Sequence, residues 1–392
     1  MAENLDFRKE TKMTQKTGLE KLKVCFADMP DPRVVGRTDH RLLDILVLTV
    51  CAVLCGVDDW DGVEVWGKAR LQWLRQYITL ENGIPSHDTI GRVFAAMDSR
   101  KFQECFIEWT SSICTSLVGQ VVAIDGKTQR GSHHRGLGKK AIHMVSAFAS
   151  EQSITLGQLK TEEKSNEITV IPELLGMLEL KGSIVTIDSM GCQTEIAKTI
   201  QTKEADYLFA LKGNHSHLHE QVQEFFKVAE QHDYLGLLYK PYETCEKGHG
   251  RIETRRVVAL SSEYLEQVSA WQGLQSMIMV ESVREIGDKR SSELRYYISS
   301  LPPDSQRIGQ AIRAHWGIEN QLHWCLDVTY KEDACRTRTG NAAENFNVVR
   351  KITMNLLRQD RSRKRSIAKK RLLATLDDQY LASVLGLKPL VI

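Results

Sequence analysis

The sequence predicts an α/β fold, α+β overall: a mixed-sheet core preceded by an all-helical segment and followed by a helical tail. Three observations carry this. Apolar residues keep a helical period to about Gly119, the period turns strand-like at Gln120, and from there three strands follow one another before strands and helices alternate. A chain of 392 residues, 42% hydrophobic and 26% charged, is long enough for two or three units with cores of their own, and its composition excludes a disordered tail.

In the first region the pattern predicts helices over Gly18–Asp28, Leu42–Cys55, Trp60–Tyr77, Asp88–Met97 and Lys101–Leu117. Breaks fall at Pro30 and Pro32, at Gly56, at the turn Asn82-Gly83-Ile84-Pro85, and at Asp98-Ser99 as a cap. Ser86 would cap a helix resembling the second helix of a helix-turn-helix, although a plain capped helix in a bundle satisfies the same pattern. The longest apolar stretch, from Ile45 to Val57, is too short to cross a bilayer and reads as a buried core helix, so no membrane association is expected. Nine cysteines without a Cys-x-x-Cys pair, and with no signal peptide before them, point to a reduced, cytoplasmic setting.

From Gln120 the predicted strands are Gln120–Asp125, Ile142–Ser150 and Ile154–Lys160, joined closely enough for an antiparallel meander. A helix over Glu167–Leu178, a strand ending at Asp188, a helix over Cys192–Thr202 and a strand over Asp206–Leu211 then alternate, as parallel crossovers require. That order is the order of the ribonuclease H-like fold, in which the ends of the first and fourth strands lie side by side. After a helix near Asn214–Glu230, strands over Thr254–Leu260, Ser276–Ser282 and Glu293–Ser299 read as a small inserted β unit. A helix from about Ser305 towards Leu326 and a helical tail complete the chain. The expected organisation is therefore a helical unit over residues 1–119 and a second unit over 120–392, with the β insertion at about 240–302 and the tail at about 341–392.

Two segments share a form that matters for chemistry. Val121-Val122-Ala123-Ile124-Asp125-Gly126-Lys127 and Ser183-Ile184-Val185-Thr186-Ile187-Asp188 each end an apolar run on a carboxylate. Either acid alone is a turn or cap residue; the matching pair, at strand ends that the fold order juxtaposes, suggests a divalent-metal site. Glu319, on the helical segment after Arg313-Ala314-His315-Trp316-Gly317-Ile318, is a third oxygen donor, with Asp327, Glu332 and Asp333 as alternatives on spacing alone. Three such acids suit phosphoryl transfer on nucleic acid, with two magnesium or manganese ions held about 4 Å apart. Asp125 would bridge both ions, and Asp188 and Glu319 would each serve one. No tight zinc pattern and no phosphate-binding glycine loop competes with this reading.

The formal charge of +2 says little, but its placement is informative. Lys127, Arg130 and Arg313 are candidates for holding phosphate. Eight basic residues between Arg358 and Arg371, among them Arg363, Lys364 and Arg365, suit a phosphate backbone as well as they suit a solvated helix face.

Several motifs carry a family resemblance: Asp125-Gly126-Lys127-Thr128-Gln129-Arg130-Gly131-Ser132, Asp188-Ser189-Met190-Gly191-Cys192-Gln193, Asp206-Tyr207-Leu208-Phe209-Ala210-Leu211-Lys212-Gly213-Asn214, and His315-Trp316-Gly317-Ile318-Glu319-Asn320 through Asp327-Val328. Together they resemble the H-repeat-associated proteins, a branch of the bacterial insertion-sequence transposases of the DDE type. Asp31-Pro32-Arg33 and the helical region to Trp109 look like that family's N-terminal associated domain. The resemblance implies an RNase H-like catalytic core with an inserted β region, magnesium dependence, and Asp125, Asp188 and Glu319 as the triad. It also implies double-stranded DNA, at element ends and target, as the partner of a homodimer. One departure stands out: the Arg and Lys that related transposases place four residues before and seven after the glutamate are here His315 and Leu326. The expected activity is metal-dependent DNA cleavage with strand transfer. The alternatives are a nuclease without the joining step and an inactive DNA-binding protein that keeps the acids as fold residues.

Overall fold

The computed structural model describes residues 18–387 apart from 35, 37, 134, 135, 137, 139, 163–165, 249 and 267. Its N-terminal part is helical: α1 (Gly18–Cys25), α2 (Leu42–Leu54), α3 (Trp60–Ala69), α4 (Leu71–Leu74), α5 (His87–Ala96) and α6 (Ser99–Ile113). Side-chain caps set three of the starts: Asp59 accepts from the Gly62 N–H, Ser86 from that of Thr89 and Asp98 from that of Lys101. Trp60 to Tyr77, expected as one helix, breaks at Arg70. Helix α2 is buried on nearly every side, which explains its almost continuous apolar sequence, and no described helix is long and apolar enough to cross a membrane.

The sheet has nine strands in the order β3-β2-β1-β4-β5-β9-β8-β7-β6. β1 (Val121–Gln129), β2 (Ile142–Ala149) and β3 (Ile154–Lys160) form the expected antiparallel meander, and β4 (Ile184–Ile187) and β5 (Asp206–Leu211) join it in parallel beside β1. The crossovers are α7 (Glu167–Met177) and α8 (Thr194–Thr202); α9 (Ser216–Gln231) follows β5. The β insertion is continuous with the core sheet. β6 (Tyr242–Gly248), β7 (Arg251–Ser261), β8 (Ser276–Ile286) and β9 (Lys289–Ser299) are antiparallel strands that extend the same sheet, because β9 pairs with β5. β6, polar and largely exposed, lacks the apolar alternation that marks the other three in sequence.

Side-chain alternation splits the sheet between two layers. Val122, Ile124, Val145 and Ala147 face a core made with α7, α8 and α9. Ala123 and Phe148 face the opposite layer, where Ile318, Leu322 and Leu326 meet the N-terminal helices and α12 (Ala342–Gln359). α10 (Ser305–His315) covers β4, β7 and β8 on that same side. The expected long helix after Ser305 is interrupted: a π-helical turn over Ile318–His323 leads into α11 (Trp324–Val328). The tail helices α12, α13 (Ile367–Leu376) and α14 (Asp378–Leu385) share one hydrophobic core with α1, α2 and α6, so apolar packing is continuous between the first hundred residues and the last fifty or so.

Candidate active site

The β1–β4 register pairs Ile124 with Ile187, so the next residue on each strand, Asp125 and Asp188, leaves two parallel neighbours at the same level. Adjacent strands lie about 5 Å apart. Asp125 Oδ1 accepts the Gly126 N–H at 2.9 Å, and Asp188 Oδ1 accepts those of Met190 and Gly191 at 3.0 and 3.4 Å. Both carboxyls are thus oriented by their own turns. Glu319 is presented from the π-helical turn and lines, together with Asp188, a cavity of about 460 Å³ whose wall includes Thr186, His315, Trp316 and Arg295.

The acids feel one another. Burial pushes the Asp125 carboxyl up to about 7; the Gly126 N–H opposes this, and the charges of Glu167, Asp188 and Glu319 add to it. These are hard oxygen donors near one end of the sheet, and the repulsion that adds to the effect of burial on Asp125 is of the kind a divalent cation relieves. Among the described residues no three His, Cys, Asp or Glu side chains stand at the spacing of a formed ion site.

Residues that sequence reasoning did not single out for this site surround it. His323 Nδ1 lies 3.5 Å from Asp125 Oδ2, its Nε2 is buried without a hydrogen-bond partner, and burial holds its pKa down at about 3. His143 hydrogen-bonds Glu167 at 2.6 Å on the other face, where any Cβ at Gly126 would overlap both side chains. Lys351, wholly buried on α12, hydrogen-bonds Ser146 Oγ at 2.7 Å and Gln158 Oε1. Ser146 is the register partner of Asp125. His323 stands four residues after Glu319, a spacing that shares a helix face and could have flagged it.

The basic candidates fall in different places. Lys127 is not at an open surface: its ammonium pairs with Asp327 and Glu332, each at 2.7 Å, and with Asp333 at 3.5 Å. Those acids, alternatives to Glu319 on spacing, are therefore committed to a lysine. Arg130 is exposed, with Nε 3.6 Å from Asp333, and Arg313 pairs with Glu246 at 3.0 Å. Arg363, Lys364 and Arg365 are exposed between α12 and α13, whereas Lys370 and Arg371 of the same run are buried against backbone carbonyls of Leu357, Asp360, Val53 and Thr329. Arg135 and Lys139, basic residues that follow Lys127 in sequence, lie outside the described residues. His315, in the position expected of an arginine, shares a 2.9 Å hydrogen bond with Thr186, and burial lowers its pKa.

Comparison with known proteins identifies the family. The family model described as "Transposase DDE domain" matches residues 116–356, and the one described as "DDE_Tnp_1-associated" matches residues 23–110. The chain is 46% identical over 363 residues to "Putative transposase YncI" of Escherichia coli O157:H7, covering 91% of this chain and 92% of that protein. It is 44% identical over 378 residues to "H repeat-associated putative transposase YhhI" of Escherichia coli (strain K12), covering 94% and 98%. A solved piggyBac transposase synaptic complex with hairpin DNA aligns over 95% of this chain and 73% of that one at 11% identity and a TM-score of 0.42, too weak a likeness to bear on fold or chemistry. By both family matches and by relatives spanning almost its whole length, the chain belongs to the bacterial DDE transposases, among the H repeat-associated proteins.

Proposed function

We propose that this chain cuts DNA at the ends of an insertion element and joins the freed end to target DNA, with Asp125, Asp188 and Glu319 as its catalytic acids on an RNase H-like core. The observation that carries this reading is the β1–β4 register that sets Asp125 beside Asp188, with Glu319 close enough for its charge to raise Asp125. Two magnesium or manganese ions, when bound, would strengthen the attacking oxygen and neutralise charge on the scissile phosphate. The chain's own part is positional. Asp125 and Asp188 are aimed by the N–H groups they accept from, and Glu319 is brought to them by the π-helical turn. His315 and Trp316 form part of the wall of the cavity that Asp188 and Glu319 line. We place residues 1–119 as a DNA-binding unit, the working form as a homodimer on double-stranded DNA, and the setting as cytoplasmic.

Asp125→Asn, Asp188→Asn and Glu319→Gln each abolish divalent-ion-dependent cleavage of a duplex carrying a matched element end and leave DNA binding in place. Normal cutting by any one of them overturns the assignment. Cleavage without joined products would instead favour the nuclease alternative.

A further inference from the structure

We infer that the exposed face of the β6–β9 extension is a platform for the phosphate backbone of duplex DNA, leading directly to Glu319; this rests on the transposase reading above. Alternation on these strands puts Val257, Val280 and Tyr297 under α10. Beyond the end of that helix the same face continues as Arg251, Glu253 and Arg255 on β7, Ser282 and Arg284 on β8, and Ser291, Glu293 and Arg295 on β9, with Arg255 opposite Ser282 and Glu253 opposite Arg284. These residues floor an open cavity of about 550 Å³, closed at one side by Arg313, Trp316 and Asn320. Arg295, Glu293 and Trp316 also line the cavity that holds Asp188 and Glu319, so the two spaces adjoin across these three side chains. The Arg295 guanidinium lies 5.5 Å from the centre of the Trp316 ring at the junction.

The charge on this face is unbalanced. Glu253 alone serves Arg255 at 2.7 Å, Arg251 at 3.6 Å and Arg284 at 3.9 Å, and Glu246 is shared by Arg313 at 3.0 Å and Arg255 at 3.3 Å. Glu293 is taken by Arg295 at 2.9 Å. Five guanidinium groups thus share three carboxylates. The long, solvent-facing pairs of Arg251 and Arg284 are of the kind worth little, so these two groups can exchange a carboxylate for a phosphate at small cost. Among the described residues this face is polar apart from Ile286 near the β8–β9 turn, which fits a phosphate backbone better than a protein partner.

The test is binding of a mixed-sequence duplex by the full chain at a series of salt concentrations. Arg251→Ala and Arg284→Ala each weaken binding and lower the slope of log K against log salt by about 1, the double variant by about 2, and Arg284→Lys retains the wild-type slope. Arg290→Ala, on the opposite face of β9, changes neither, and melting temperatures of all variants match the wild type. Unchanged affinity and slope in the double variant overturn the platform while leaving the catalytic reading intact; a wild-type chain that binds no duplex overturns both.

Discussion

The Lys351 ammonium stands 2.7 Å from the Ser146 hydroxyl, and Ser146 is the residue opposite Asp125 across β1 and β2. A positive charge is thus buried one strand away from the carboxyl cluster, with hydrogen bonds only to neutral oxygens. Burial lowers the Lys351 pKa to about 7; Glu332 opposes the shift and Lys127 adds to it. For a base whose folded pKa lies below its unfolded value, the full cost of burial is felt below about pH 7 and fades as the native state loses its proton between about 7 and about 10. Lys351→Met should therefore flatten the rise in stability across that window, by an amount on the order of 5 kcal/mol. Urea unfolding of both proteins at the two ends of the window measures it, and parallel pH profiles would show that the charge is compensated elsewhere.

Asp125 carries the opposite sign. Its folded pKa is raised to about 7, so between about pH 4 and pH 7 the native state holds a proton that the unfolded chain has released, and stability falls as pH rises through that range. Asp125→Asn removes the ionisable group. Without divalent ions the variant should be more stable than the wild type at pH 8, by a gain on the order of 4 kcal/mol that shrinks towards zero near pH 4. Added magnesium should raise the melting temperature of the wild type and not that of the variant.

How much of this could be read from sequence depends on whether the signal is local. The β1 and β4 runs ending at Asp125 and Asp188 announce themselves by apolar strand patterns, and the meander follows from short connections; the structure sets the two acids side by side as that order implies. β6 was missed because it is mostly polar and only Tyr242 and Thr244 on one face are half-buried, too short a pattern to mark a strand. The continuation of the sheet from β5 into β9 was missed because their pairing joins residues about ninety positions apart. Lys351 was invisible for a related reason. A lysine in an apolar helix reads as a surface residue until α12 is known to lie across β2 and β3, where Ser146 and Gln158 receive it. Conversely, Lys127 looked like a phosphate ligand because the acids that claim it, Asp327 and Glu332, are some two hundred residues away.

Gly126 is held to glycine by the opposite face of the sheet. A methyl group there would occupy the space where Glu167 and His143 meet, and both side chains are fixed by their mutual hydrogen bond and by that of His143 with Thr128. Gly126→Ala should cost about 1–3 kcal/mol through overpacking. Because Gly126 also supplies the N–H that orients Asp125, magnesium affinity measured by calorimetry should fall in the same variant. A wild-type melting temperature would show that Glu167 swings aside freely.

Lys127 provides the sharpest division between a structural and a DNA-holding role. Glu332 is 1% exposed, and its carboxylate has two partners, the Lys127 ammonium and the Asn347 amide. Removing the lysine leaves a buried charge with a single neutral donor, a change that costs about 3–5 kcal/mol. Lys127→Met should lower stability by that order, and adding Glu332→Gln should recover a large part of it, because the second change removes the stranded charge. Duplex binding at a temperature where the variant is folded should keep its wild-type salt slope. If Lys127 instead gripped phosphate, the melting temperature would hold and the slope would drop by about 1.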